Sequence, residues 1–106
     1  MDRISTTELE SWQRLGLPFS LIDVRRAGVR QQQAGQLEGA HWLDPEMLLT
    51  WKDEIARDRP AILYCAKGHE IGQGAAATLR AMGLDARYLI DGFEGWTRAG
   101  KPVRSL

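Results

Sequence analysis

The segment Ala61-Ile62-Leu63-Tyr64-Cys65-Ala66-Lys67-Gly68-His69-Glu70-Ile71-Gly72-Gln73-Gly74-Ala75-Ala76-Ala77 decides how the chain folds. Ala61 to Tyr64 is a short apolar run introduced by Pro60, the pattern of a buried β-strand. Gly72 and Gly74 are expected to open a helix whose body is Ala75 to Met82. Its small residues suit close packing against a sheet, and Gly83 ends it. The loop between strand and helix carries Cys65, the only cysteine in the chain. Backbone N–H groups and the positive end of a helix dipole converge at such a turn, so it should attract anions and stabilise a thiolate. Cys65 is therefore the candidate nucleophile, and Ala66, Lys67, Gly68, His69, Glu70 and Ile71 form its candidate substrate-binding loop.

Outward from this segment the chain alternates strands and helices. Ser5-Thr6-Thr7-Glu8 is a capping box that starts a helix, with Leu9, Trp12 and Leu15 on one face and Gly16 at its end. Phe19 to Val24 reads as a buried strand that runs into Asp23-Val24-Arg25. That charged pair suits a structural ion pair supporting a loop, so Asp23 and Arg25 are the candidate supports of the site. Ala27 to Ala34 is a weak, polar helix stopped by Gly35. A turn and a short strand follow between Leu37 and Leu43. Asp44-Pro45 then caps a helix that should bury Met47, Leu48 and Trp51. Lys52 to Arg59 is a solvated connection anchored by Ile55. Beyond Gly83, Ala86 to Ile90 makes another strand, Asp91-Gly92 turns, and Phe93 to Ala99 forms a helix with Phe93 and Trp96 inward. Strands separated by helices at these distances call for a parallel sheet covered on both faces. Ligands bind such sheets beyond the carboxyl ends of the strands, which is where Cys65 falls.

Composition narrows the function. The 106 residues suit one domain, spanning 1–106. Fourteen basic and fourteen acidic side chains leave no net charge, so there is no bulk electrostatic footprint for nucleic acid or anionic lipid. Arg25, Arg26 and Arg30 have no accompanying aromatic platform and read as a solvated face. The N-terminus lacks the apolar run of a signal peptide and no stretch is long enough for a membrane span. A cytoplasmic protein with a free thiol is expected. Metal binding is poorly supported, because Cys65 and His69 have no further thiol near them in sequence and His41 is remote. A lone cysteine is often only a small buried hydrophobe; its place between strand, glycine-containing loop and helix argues for chemistry. The tryptophans at 12, 42, 51 and 96 lie in apolar patterns and are expected in the core.

The ordered set Leu21-Ile22-Asp23-Val24-Arg25, Leu37-Glu38-Gly39-Ala40, Leu63-Tyr64-Cys65 with Gly68, Ala75-Ala76 through Leu79 and Gly83, and Leu89 with Gly92, Trp96, Gly100 and Pro102 resembles the single-domain rhodaneses, a sulfurtransferase family. The resemblance covers nearly the whole chain. It implies a five-stranded, mainly parallel α/β domain with helices on both faces, and a Cys65 that carries sulfur as a persulfide within a loop of backbone amides. A donor such as thiosulfate, a persulfide or a polysulfide would load Cys65, and cyanide or a cellular thiol would accept the sulfur. Donor and acceptor, small molecules or proteins, would then be the partners, and no cofactor is implied.

One position departs from the family. Many active members carry Cys-x-x-Gly-x-Arg, often followed by Ser, and the arginine helps hold the sulfonate of thiosulfate. Here Glu70 and Ile71 stand in those places. A carboxylate facing the site would repel a dianion, which predicts weak thiosulfate activity and points to a persulfide or polysulfide donor, with His69 assisting proton transfer. Glu70 also has a purely local reason to be there, since acidic side chains favour the first turn of a helix. Two rival functions remain: a rhodanese-like module that binds or senses sulfur without turnover, and a phosphatase or arsenate reductase. Retention of Cys65 disfavours the first. A Cys-x5-Arg loop, with its arginine where Ile71 stands, is what the second lacks.

Overall fold

The computed structural model describes all of residues 1–106. Its elements in order are β1 (Arg3–Ile4), α1 (Thr6–Leu15), β2 (Ser20–Asp23), α2 (Ala27–Gln33), β3 (His41–Trp42), α3 (Leu48–Trp51), β4 (Ala61–Tyr64), α4 (Glu70–Ala81), β5 (Ala86–Leu89) and α5 (Gly92–Arg98), with single 3-10 turns on either side of α3. The five strands form one sheet in the order β1-β5-β4-β2-β3. Every strand pair in it is parallel.

Period-two alternation along β4 divides the core. Ala61, Leu63 and then Cys65 face one layer, built with Trp51 of α3 and Ala75, Ala76 and Leu79 of α4. Ile62 and Tyr64 face the other, built with Leu9 of α1 and Phe93 and Trp96 of α5. Helices therefore cover both faces, and the alanines of α4 let it lie close to the strands, as a parallel sheet requires. The capping box at the start of α1 is complete: Glu8 N–H donates to Ser5 Oγ at 3.0 Å and Ser5 N–H donates to Glu8 Oε1 at 3.2 Å.

Several local expectations need correction. β1 carries no sequence pattern of its own; it exists because Arg3 and Ile4 pair with Tyr88 and Leu89 of β5. Met47 is 51% exposed, because Asp44 caps a 3-10 turn over Pro45–Met47 and rotates that side chain outward. Trp51 is buried as expected and donates its indole N–H to the Asp44 carbonyl at 2.8 Å. Trp12 and Trp42 are only half-buried. The helix α4 begins at Glu70, ahead of Gly72 and Gly74. The three arginines do not share a solvated face: Arg25 is fully buried, Arg30 stacks over the Trp42 ring at 5.4 Å, and only Arg26 is exposed.

The strand order also sets where a ligand can reach. From β2 the chain moves outward to β3, and from β4 it moves the opposite way to β5, so β2 and β4 flank the point at which the winding reverses. The connections leaving the carboxyl ends of these two strands diverge to opposite layers and open a crevice between them.

Candidate active site

The crevice is a cleft of about 380 Å³, within the range of small-ligand sites. The β2–α2 connection contributes Arg25, Arg26 and Val29. The loop after β4 contributes Cys65, Ala66, Lys67, His69, Glu70 and Ile71. All residues singled out in the sequence are thus brought to this place except Gly68 and Asp23, which lie behind it. Cys65 is a free thiol, 5% exposed. Arg26 was missed as a site residue. It looks like an ordinary surface cation in sequence, and only the pairing of β2 with β4 carries it to the cysteine loop.

Main-chain contacts hold the loop from behind. Phe93 N–H donates to the Cys65 carbonyl at 2.8 Å and Glu94 N–H donates to the Ala66 carbonyl at 2.9 Å. The start of α5 thereby spends its free amides on the carbonyls of the loop. Gln73 clamps the other end, its Nε2 donating to the Gly68 carbonyl at 2.9 Å and its backbone N–H to the His69 carbonyl at 3.0 Å. With the carbonyls turned back, the amides from Ala66 to Gly72 have no acceptor in the protein. A run of unpaired N–H groups joined to the N-terminus of a 12-residue helix is an anion-binding arrangement.

Two glycines make this packing possible. Gly68 has φ +74°, and a Cβ there would lie 2.6 Å from the Asp91 amide nitrogen. Gly92 has φ +58°, and a Cβ there would overlap the Cys65 carbonyl oxygen and lie 2.6 Å from the Gly68 nitrogen. Gly72 serves differently: a Cβ on it would sit 3.2 Å from Cys65 Sγ, so its hydrogen leaves room beside the sulfur.

Asp23 and Arg25 form a buried ion pair, both side chains wholly inaccessible, with Arg25 Nη2 at 2.7 Å from Asp23 Oδ2. Arg25 Nη2 also donates to the Gly35 carbonyl at 2.6 Å, and its guanidinium lies 4.2 Å from the centre of the Phe93 ring. Since the Phe93 amide holds the Cys65 carbonyl, the pair is tied to the loop through α5. Tyr64 adds to this layer, its hydroxyl accepting the Leu37 N–H at 3.2 Å. Burial, reinforced by the nearby Asp23 carboxylate, pushes the Tyr64 phenol well above its ordinary range. At the cleft surface, Arg26, Lys67, His69 and Glu70 are all exposed and none forms an ion pair.

The fold and this geometry define a class: a parallel α/β protein with a single thiol in an amide-lined loop at the reversal point of its sheet. A family model described as a rhodanese-like domain matches residues 5–99, and the chain belongs to that family. The thiosulfate sulfurtransferase GlpE of Actinobacillus succinogenes is 35% identical over 86 residues, which cover 80% of this chain and 75% of that protein. Among solved structures, a rhodanese-related protein from Thermoplasma volcanium superposes with a TM-score of 0.85 at 20% identity, covering 98% of both chains. A Rhodopseudomonas palustris protein of unknown function, described as a possible tyrosine phosphatase, superposes with a TM-score of 0.85 at 24% identity over 98% of this chain and 85% of that one. At those identities the two structures establish the shared fold alone. No helix is long and apolar enough to cross a membrane.

Proposed function

We propose that this protein is a sulfurtransferase in which Cys65 carries the moving sulfur as a persulfide. The observation that carries the reading is the free Cys65 thiol lining a cleft beside backbone amides that have no protein acceptor. The likeness to a thiosulfate sulfurtransferase supports it. In the first half-reaction the Cys65 thiolate attacks the outer sulfur of the donor. The Sγ–sulfur bond forms as the donor's own bond to that sulfur breaks, and the bonding pair leaves with the remainder, sulfite in the case of thiosulfate. In the second, an acceptor thiolate or cyanide attacks the outer sulfur of the persulfide, and Cys65 departs as thiolate. Thiolate, persulfide and anionic donor all place negative charge near the amides of Ala66 to Gly72, whose fixed orientation needs no rearrangement during the reaction. Asp23 and Arg25 act as positioning residues through Phe93, and His69, at the rim, assists proton transfer to the acceptor.

Thiosulfate is a poor fit as donor. Glu70 lines the cleft unpaired at the position where many family members carry arginine, so a dianion meets a carboxylate in place of a cation at that point, beside the free Arg26 and Lys67. A persulfide, R–S–S⁻, carries one negative charge and an organic polysulfide none, so either suits the site better. The single thiol fits a reducing, cytoplasmic setting in which it stays available for loading. A phosphatase role is disfavoured by Ile71, which puts an aliphatic side chain in the cleft where that chemistry needs an arginine. The test is thiocyanate formation from thiosulfate and cyanide. Weak turnover that disappears in Cys65→Ser and gains a lower KM for thiosulfate in Glu70→Arg supports the proposal; turnover retained in Cys65→Ser overturns it.

A further inference from the structure

Two clefts meet at the mouth of the site. The one containing Cys65 is followed by a second of about 370 Å³ that runs between α4 and the Pro45–Leu48 turn, and the two share Arg26, Glu70 and Ile71. Arg26 enters from the β2–α2 side and Glu70 from the first turn of α4. They bear opposite charge, both are exposed, and they are not paired with each other or with any other side chain. A site for a simple dianion would carry cations alone. Opposite charges left free on two sides of one opening match a ligand that carries both signs.

We propose that Arg26 and Glu70 are specificity-determining residues that select a zwitterionic, amino-acid-type thiol as the sulfur acceptor, Arg26 taking its carboxylate and Glu70 its ammonium group. This rests on the sulfurtransferase reading of Cys65. The acceptor thiolate attacks the outer sulfur of the Cys65 persulfide, a bond forms between those two sulfurs, and the bond to Sγ breaks. Its electron pair stays on Cys65 as thiolate, and the product is the persulfide of the acceptor. No external oxidant or reductant is needed. Ile71, which lines both clefts with them, supplies an apolar contact for the methylene of such a thiol.

The experiment loads the protein with inorganic polysulfide and measures discharge of the persulfide to four thiols: L-cysteine, cysteamine, 3-mercaptopropionate and 2-mercaptoethanol. These carry both charges, the ammonium alone, the carboxylate alone and neither. Rates for Glu70→Gln and Arg26→Gln are divided by wild-type rates for each thiol, which cancels intrinsic thiol reactivity. Partial misfolding of a variant would scale all four ratios together and cancels when they are compared. Glu70→Gln should slow cysteine and cysteamine about threefold to fivefold relative to 3-mercaptopropionate, the scale of an exposed ion contact. Arg26→Gln should slow cysteine and 3-mercaptopropionate by a similar factor relative to cysteamine. Equal ratios across the four thiols, with loading intact, overturn this inference and leave the sulfurtransferase reading standing. Failure of the wild-type protein to take up sulfur overturns both.

Discussion

Replacing Gly92 by alanine tests whether the β5–α5 turn builds the cysteine loop. Two costs add at this position. The left-handed backbone at φ +58° penalises any side chain by about 1–2 kcal/mol. The new methyl would also overlap the Cys65 carbonyl oxygen and approach the Gly68 nitrogen to 2.6 Å, which forces backbone to move at a further cost of about 1–3 kcal/mol. The sum, about 2–5 kcal/mol, is a large share of the ~5–15 kcal/mol that stabilises a domain. Gly100 supplies the control, because it has φ +74° but nothing within 4 Å of its missing Cβ. Gly100→Ala pays only the backbone term, about 1–2 kcal/mol. Urea unfolding with linear extrapolation reads both values. The Cys65 alkylation rate should change in Gly92→Ala, as the loop is pushed from behind, and stay at the wild-type rate in Gly100→Ala. Equal stability losses in the two variants would refute the packing argument, since the steric contribution would then be absent.

Other consequences follow from the same geometry. Asp23→Asn leaves the buried Arg25 guanidinium without its carboxylate and should cost about 3–5 kcal/mol in urea unfolding. Gly72→Ala places a methyl 3.2 Å from Cys65 Sγ. It should slow sulfur loading by about tenfold, equivalent to ~1.4 kcal/mol of barrier, while helix propensity at that site improves by about 1 kcal/mol. Tyr64→Phe removes the acceptor of the Leu37 N–H, a loss of about 1–3 kcal/mol near neutral pH. The raised Tyr64 pKa also has a sign. The folded state keeps the phenol proton after the unfolded chain has begun to lose it at about 10, so the stability of the wild type falls as pH rises above that value. Tyr64→Phe should lack this part of the decline, as unfolding curves between pH 9 and 11 would show.

The parts legible in the sequence were those that local chemistry dictates. The α1 capping box, the apolar run Ala61 to Tyr64 and the small residues of α4 each state their own structure, and the order of such pieces yields the parallel α/β fold and puts Cys65 beyond a strand end. What depends on distant partners was not legible. Arg3 and Ile4 become a strand only because the edge of β5 is open to them. Arg26 reaches the cleft because β2 and β4 pair in register, Asp23 opposite Tyr64. The contact between Gly72 and the sulfur likewise arises from how the loop turns back on α4, and a glycine in a helix start gives no hint of it. The polar helix after Arg25 and the Asp23–Arg25 ion pair are legible, but grouping Arg25 with Arg26 and Arg30 as a solvated face fails for the same reason: burial of Arg25 requires the Phe93 ring, the Asp23 carboxylate and the Gly35 carbonyl at once.

The most direct measurement is the intact mass of the reduced protein before and after brief exposure to polysulfide, repeated after a thiol acceptor is added. The account predicts the gain of one sulfur atom in the wild type, its loss on addition of the acceptor, and no gain in Cys65→Ser. A wild-type protein that stays unmodified, or a Cys65→Ser variant that gains and releases sulfur like the wild type, would contradict it.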